Sequence, residues 1–425
     1  MSQEINKAEK QDLSLVVRAI GSDLEHTQVR MIASANADML FHYWKVGNFI
    51  LYLQKKEGWG SKVIDNLSKA IRSKYPDKKG YSRRNIFYMC QFASAYPLEV
   101  LKEMDRIDSL LTTPTVEKVL SLTNELNQIV QQPVALIQAT ENQSNTITQQ
   151  PVAQLEEVTE TLSAIYHCDI SQIEEIFKHS AIVRTNWASH VILLNSKLPL
   201  GECYWYITQA VANGWSRNVL QMQIETNLFA RQITAKKVSN FSVRLPKPQS
   251  DLANYLMKDP YIFDMMGQTD KMAERDIERQ LVSHITKYLL EMGSGFAFVA
   301  QQKHFEVGDS DFYADLILYN IQLHAYVVIE LKATPFKPEY MGQLNFYINV
   351  VDDTLRGEHD NKTIGLLLCN GGDKVVAQYA LSGYDQPIGV SDYQLSKAIP
   401  DNLKSALPTV EEVEEELSKI VDKNI

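Results

Sequence analysis

Three ionisable residues stand where strand interiors ordinarily hold none. The run FYADLILY at 312–319 carries Asp315, and the run AYVVIELKA at 325–333 carries Glu330 and Lys332 with one leucine between them. Strand side chains alternate between faces, so Glu330 and Lys332 share a face and Leu331 takes the other. A short polar turn separates the two runs, and a hairpin made of them can set Asp315 beside Glu330. Carboxylates and an amine at the end of an apolar sheet are costly to desolvate unless they bind a metal or one another. Hard oxygen donors of this kind suit Mg²⁺, which takes one or two carboxylates and completes its octahedron with water and phosphate. Such a cation neutralises a phosphate and acidifies a water, which is the chemistry of phosphodiester hydrolysis. In that scheme Asp315 and Glu330 ligate the metal and the Leu331 carbonyl adds a third oxygen. Lys332 orients or deprotonates the attacking water and holds the phosphate.

The elements around these runs supply further candidates. ERDIERQLVSHITKYLLEMGSG, from Glu274, has an apolar stripe at Ile277, Leu281, Ile285 and Leu289 and reads as a helix ending at Gly293 and Gly295. Glu278 stands next to that stripe and can reach the metal directly or through water. Downstream, PEYMGQLNFYINVVDD reads as a helix on which Gln343 and Tyr347 lie four apart and share a face. They can reach back to the strand ends and place Lys332 or a phosphate. TIGLLLCN reads as a buried strand and PIGVSDYQL as another short one. The order helix–strand–strand–strand–helix–strand describes an α/β domain with a mixed sheet. Glu330 and Lys332 alone are equally a surface pair on an edge strand. Their conjunction with Asp315, Glu278 and the Gln343/Tyr347 pair favours a site.

The first half of the chain reads as helix. MLFHYWKVGNFILYLQKK places Leu40, Tyr43, Trp44, Gly47, Ile50 and Leu51 on one face, with Gly47 allowing close helix approach. Ser61 and Ser82 sit as N-caps of two helices on either side of the turn YPDKKGYS, and this pair looks like a helix-turn-helix. Between Lys69 and Arg84 seven basic residues face one acid, Asp77. Recognition helices use their first turn, so Lys78, Lys79, Arg83, Arg84 and Asn85 are candidates for nucleic-acid contact. Arg217, on the first turn of a helix that Ser216 can cap, joins them. A solvated basic turn between packing helices is the competing reading. His179 and His190, near apolar faces, read as packing or hydrogen-bonded residues. Residues 115–160 are rich in Gln, Asn and Thr and repeat QQPVA at Gln131 and Gln149, which reads as a linker or insertion.

Bulk properties set the outer bounds. A chain of 425 residues allows two or three domains. The longest apolar runs are strand-length, short of the roughly 20 residues of a membrane span, and the N-terminus is polar. A cytoplasmic location with no membrane partner is the expectation. A net charge of −10 argues against coating nucleic acid non-specifically, yet a local patch can still bind phosphate. The four cysteines lie far apart without a CxxC pair, which makes zinc and disulfide frameworks poor readings. PTVEEVEEELSKIVDK reads as a solvated acidic helix.

Glu278, Asp315, Glu330-Leu331-Lys332 and Gln343-x-x-x-Tyr347 together resemble the PD-(D/E)xK nuclease superfamily, whose fold is restriction-endonuclease-like. KDPYIFDMM, ERDIERQLVSHITKYLLEMGSGFAFV, DFYADLILYN, VVIELKATPFKPEYMGQLNFYI and TIGLLLC resemble the catalytic domain of one bacterial family in it, the YhcG-like nucleases. HYWKVGNFI, WGSKVIDNLSKAI, GYSRRNIFYMCQF, NWASHVILL and NGWSRNVLQMQI resemble the helical N-terminal domain of the same family. Asn320 stands where that family usually has a histidine. Residues and resemblance together give an α+β multidomain chain. An all-α, helix-turn-helix-like N-terminal domain lies in two halves, 10–114 and 161–245, around the 115–160 insertion. An α/β restriction-endonuclease-like domain with a mixed central sheet follows at 246–410, then an acidic tail at 411–425. The resemblance implies a Mg²⁺-dependent DNA endonuclease, with Mn²⁺ able to substitute. It also implies DNA as partner and partner proteins of a restriction or mobile-element defence system. Cutting both strands needs two sites, so a homodimer or a transient pairing on DNA is the expectation. A non-catalytic or accessory nucleic-acid-binding subunit and an RNA nuclease are the alternatives.

Overall fold

The computed structural model describes residues 31, 33–53, 62–103, 115–139, 162–164, 166–264, 285–293 and 295–396. The chain divides into two compact units, Met1–Ser109 with Asn124–Thr208, and Leu110–Thr123 with Gln209–Ile425.

The first unit is helical, with α1 (33–53), α2 (Lys62–Lys74) and α3 (Arg83–Ala95) in its N-terminal part. Its core is aromatic. Trp44, Phe92 and Phe177 are fully buried. Trp44 stacks on Tyr166 with ring centroids 5.6 Å apart and donates its Nε1–H to the Tyr96 carbonyl at 2.7 Å. Each such ring buries a large apolar area while its polar handle stays satisfied. Gly47 is where α1 meets α3, and a Cβ there would lie 2.1 Å from the Met89 carbonyl oxygen. Ser82 caps α3 by accepting the Asn85 N–H at 3.2 Å, and Gly80, at φ +97°, turns the chain before it. The connection over residues 75–82 is longer than the roughly three- or four-residue turn of a helix-turn-helix. It runs back along α2: Ser68 Oγ donates to the Tyr81 carbonyl at 2.8 Å, and Arg83 pairs with Asp65 at 2.9 Å.

Residues 115–160, read as a linker, divide. Val116–Ala139 form one helix, α4, with Val119, Leu122 and Leu126 buried. Those three positions, spaced three and four, are an apolar stripe that precedes the glutamine-rich part. Residues 140–161, the acidic 411–425 and Ser61 lie outside the described residues. The helices α5 (Ile170–His179), α6 (Trp187–Ser196) and α7 (Leu200–Ala212) follow.

The second unit opens with α8 (Arg217–Glu225), which Ser216 caps by accepting the Val219 N–H at 3.3 Å. It is built on a seven-stranded mixed sheet in the order β1-β7-β6-β5-β4-β3, with β2 also on β7. The strands are β1 (Val238–Ser239), β2 (Tyr261–Asp264), β3 (Phe296–Val307), β4 (Ser310–Asn320), β5 (Ala325–Lys332), β6 (Ile364–Cys369) and β7 (Ile388–Ser396). The antiparallel meander β3–β4–β5 passes into the parallel set β5–β6–β7. The sheet packs between two helical layers. Met341, Leu344, Ile348 and Val351 of α11 (Tyr340–Thr354) and Ala377 and Leu381 of α12 (Lys374–Leu381) cover one face. The other face is covered by Ala253 of α9 (Gln249–Leu256) and by Tyr288 and Met292 of α10 (Ile285–Met292).

Strands β1 and β2 come from stretches read in the sequence as the end of the helical half and as a connector. The sheet thus begins at Val238, earlier than the 246 border. Buried charge fastens β2: Glu291 Oε1 accepts from Arg231 Nη1 at 2.5 Å and from the Ile262 N–H at 2.9 Å. Among the described residues no helix is long and apolar enough to cross a membrane.

Candidate active site

Asp315, Glu330 and Lys332 meet where β4 and β5 run side by side. The antiparallel register pairs Leu316 with Ile329, so the next residues outward are Asp315 and Glu330. All three are nearly or wholly buried, at 8%, 0% and 8% exposure. Lys332 Nζ donates to Glu330 Oε1 at 2.8 Å. The Leu331 N–H donates to Asp315 Oδ2 at 2.9 Å. Leu331 therefore touches the site through its amide, while the sequence reading used its carbonyl. A buried pair of this kind offsets part of its desolvation cost only through close contacts such as these.

The strand itself is irregular at this point. Ala314 and Ile317, three residues apart on β4, pack in the same core beneath α11. Ala300 and Phe305, five apart on β3, do the same. Strict alternation would put the members of each pair on opposite faces. The reversal falls at Asp315 and at Gln302, which lies opposite it between the pairs Gln301↔Leu316 and Lys303↔Ala314. Gln302 has φ +46°, a left-handed conformation that costs a non-glycine residue free energy and concentrates at functional sites. Its Nε2 donates to Asp315 Oδ1 at 3.1 Å. Asp315 is thus gripped by an amide from each flanking strand. Nothing in the sequence marks Gln302, because a glutamine in the polar stretch QQKH carries no signal until its backbone angle is known.

α11 closes the site. Its buried positions follow helical spacing, and Tyr347 falls among them while Gln343 stays exposed one turn earlier. Burial raises the Tyr347 pKa, the Gln343 hydrogen bond lowers it, and the carboxylates of Glu330 and Asp315 raise it further. The phenol is therefore in electrostatic reach of both acids. At the N-terminus of α11 the Tyr340 ring lies beneath Lys332 Nζ, 5.5 Å from the centroid, and its hydroxyl bonds Thr334 Oγ1 at 2.7 Å. Glu278 lies outside the described residues.

Two nearly buried carboxylates side by side are donors that fit a hard divalent cation. Among the described residues no cluster of three or more His, Cys, Asp or Glu side chains forms a fuller cage. Asp315 and Glu330 would hold the ion, with waters and substrate filling the remaining positions.

The basic candidates are distributed over both units. Lys78, Lys79, Arg83 and Arg84 are exposed in the first unit, and Arg217 is exposed in the second. Asn85 is occupied otherwise. Its Nδ2 donates to the Gly80 carbonyl at 2.5 Å and its Oδ1 accepts from Trp187 Nε1 at 2.8 Å. Its amide thus ties the turn at Gly80 to α6 at Trp187. His190 is buried with Nε2 against the Ile182 carbonyl at 2.8 Å, and His179 Nδ1 bonds the Glu175 carbonyl at 2.7 Å.

Residues 254–408 match the family described as the YhcG PDDEXK nuclease domain, and residues 19–122 match the one described as the DUF1016 N-terminal domain. Over residues 254–408 the chain is thus similar to the YhcG-like PD-(D/E)xK nucleases. The protein named "Putative nuclease YhcG" of Escherichia coli (strain K12) is 28% identical over 203 residues. That match covers 48% of this chain and 54% of the relative, so the chain spans about half the relative's length. A crystal structure of a repair endonuclease from Pyrococcus abyssi is 14% identical, covers 31% of this chain and 50% of that one, and gives a TM-score of 0.21. Nucleases of the PDDEXK type generally use divalent metal ions, and Asp315 and Glu330 lie within the matched stretch.

Proposed function

We propose that this chain is a divalent-metal-dependent endonuclease that hydrolyses phosphodiester bonds in DNA, with Mg²⁺ as its ion and Mn²⁺ able to replace it. The observation that carries the reading is the convergence of Asp315, Glu330 and Lys332, each nearly buried and each held by a specific partner. Desolvating three ionisable groups is wasteful in a structural sheet and useful at a reaction centre. A cation bound at Asp315 and Glu330 neutralises phosphate charge and lowers the pKa of a water.

The remaining work falls to the chain. The Leu331 and Gln302 amides fix the Asp315 carboxylate, so its direction is set before substrate arrives. Lys332, held at Glu330, can donate to a non-bridging phosphate oxygen or accept the proton of the attacking water. Tyr347 and Gln343 form a hydrogen-bonded pair beside the carboxylates and can position a phosphate oxygen or the lysine. Exposed lysines and arginines of the first unit recruit the polyanion.

The test is nicking of supercoiled plasmid with Mg²⁺, with a chelator, and with the Asp315→Asn and Lys332→Met variants. Wild-type nicking that the chelator and both substitutions abolish supports the reading. Equal activity in wild type and variants would identify a contaminant and overturn it. Faster cleavage of RNA than of DNA under the same conditions would replace the substrate.

A further inference from the structure

The segment from the end of α2 through the first turns of α3 combines two features that a duplex-reading helix pair does not need. It is strongly basic: the seven lysines and arginines from Lys69 to Arg84 are all exposed, in a chain whose net charge is −10. It also bears the two exposed aromatic rings among the described residues of the first unit, Tyr75 at 50% and Phe87 at 49%. Phe87 stands one turn beyond Arg83 on α3, so ring and guanidinium share a face. Lys74 Nζ lies 5.6 Å from the centre of the Tyr75 ring. Elsewhere in this unit the large rings, Trp44, Phe92 and Phe177, are in the core.

We propose that this face binds an unpaired DNA strand, its phosphates on the lysines and arginines and its bases stacked on Phe87 and Tyr75. Stacking requires a base face that a duplex keeps covered, and every base offers one, so the recognition tolerates any sequence. The long connection over residues 75–82 agrees with this. Arg83 is drawn back to Asp65, and α3 is not held across α2 by a short turn as a groove-reading helix is. Asn85, which would otherwise read a base edge, is committed to the Gly80 carbonyl and to Trp187. The inference rests on the reading that the protein acts on DNA and narrows the substrate to DNA containing single-stranded stretches.

Fluorescence anisotropy of the full chain with chelator present tests it, using a labelled thymidine oligomer of about 20 nucleotides and a labelled hairpin duplex of similar length. The oligomer should bind about tenfold more tightly than the duplex at equal salt. Phe87→Ala should weaken oligomer binding about tenfold and leave duplex binding unchanged, and Tyr75→Ala should act in the same direction. Phe87→Tyr should retain the affinity. Duplex bound as tightly as the oligomer, or an oligomer affinity indifferent to both ring removals, would overturn the single-strand preference while leaving the DNA reading in place. No binding to either probe would overturn both.

Discussion

Removing the ammonium of Lys332 leaves the carboxylate of Glu330, which has no exposed surface, without its 2.8 Å ion-pair partner. Breaking one side of a buried pair typically costs about 3 kcal/mol or more, whereas replacing both sides by neutral groups costs far less. Lys332→Met should therefore lower the melting temperature, and Glu330→Gln combined with Lys332→Met should recover most of the loss. Both should cleave at least roughly a hundredfold more slowly than wild type, since proton transfer and charge placement are lost together. Thermal melts run beside nicking assays separate the two effects. Gln302 allows a second separation. Gln302→Gly relieves the left-handed backbone and Gln302→Ala keeps its cost, so the glycine variant should melt higher, by an amount worth about 1 kcal/mol. Both lose the hydrogen bond to Asp315, and both should cleave more slowly to a similar degree. A glycine variant with full activity would show that the bond does not position Asp315. Asp315, Glu330 and Lys332 were legible in the sequence because charge interrupts apolar strands there. Gln302 was not, because its role comes from a backbone angle and a facing strand.

At the scale of elements, α6 shows how a histidine can be structural. His190 is fully buried on α6, its ring 4.9 Å from that of Phe92 and 5.8 Å from that of Tyr96, with Nε2 on the Ile182 carbonyl. Burial lowers its pKa to about 4, against a backbone hydrogen bond that raises it. Between pH 6.5 and 4 the unfolded chain takes up a proton at this histidine that the folded chain refuses. Stability should therefore fall as pH drops through that window and level off below it. His190→Gln should flatten the decline, as read from denaturant midpoints across the range. A decline unchanged by the substitution would assign the acid limb to other groups. Long elements with clean periodicity were readable: α3 and α8 begin at the serines that cap them, and β4, β5 and α11 lie where the apolar runs place them. Strand β1 has two residues and β2 four, too short to show alternation. Helix α12 hid its pattern because Val375 and Tyr379 point to solvent, at 59% and 78% exposure.

For the whole molecule, the average charge misleads. A chain at −10 would repel a polyanion if its charge were evenly spread, yet Lys78, Lys79, Arg83 and Arg84 form a local exception. Each phosphate contact releases condensed counterions, so affinity falls with salt on a slope set by the number of contacts. Replacing those four side chains with alanine should weaken DNA binding and reduce the magnitude of the log–log salt slope by roughly 3. Titrations at several salt concentrations read this directly, and an unchanged slope would return the cluster to a solvated turn. The two-part organisation was visible in the sequence as a change from helical to strand periodicity. The placement of residues 209–245 with the second unit was not, since helices such as α8 look alike whichever core they join.

The reversal of faces at Gln302 and Asp315 also limits how the length of this hairpin can change. Beyond that point Phe305 on β3 is out of step with Ala300, and Ala314 on β4 with Ile317, so both reach the α11 core because the slip occurs on each strand. Deleting Gln302 alone would bring Ala300 and Phe305 to a four-residue spacing, which ordinary alternation keeps on one face, and would leave Asp315 without the residue that faces it and without its Nε2 donor. Length variation is cheap at the Gly308 tip, where added residues disturb no partner, whereas the loss of Gln302 inside the arm removes one of the two amides that hold Asp315.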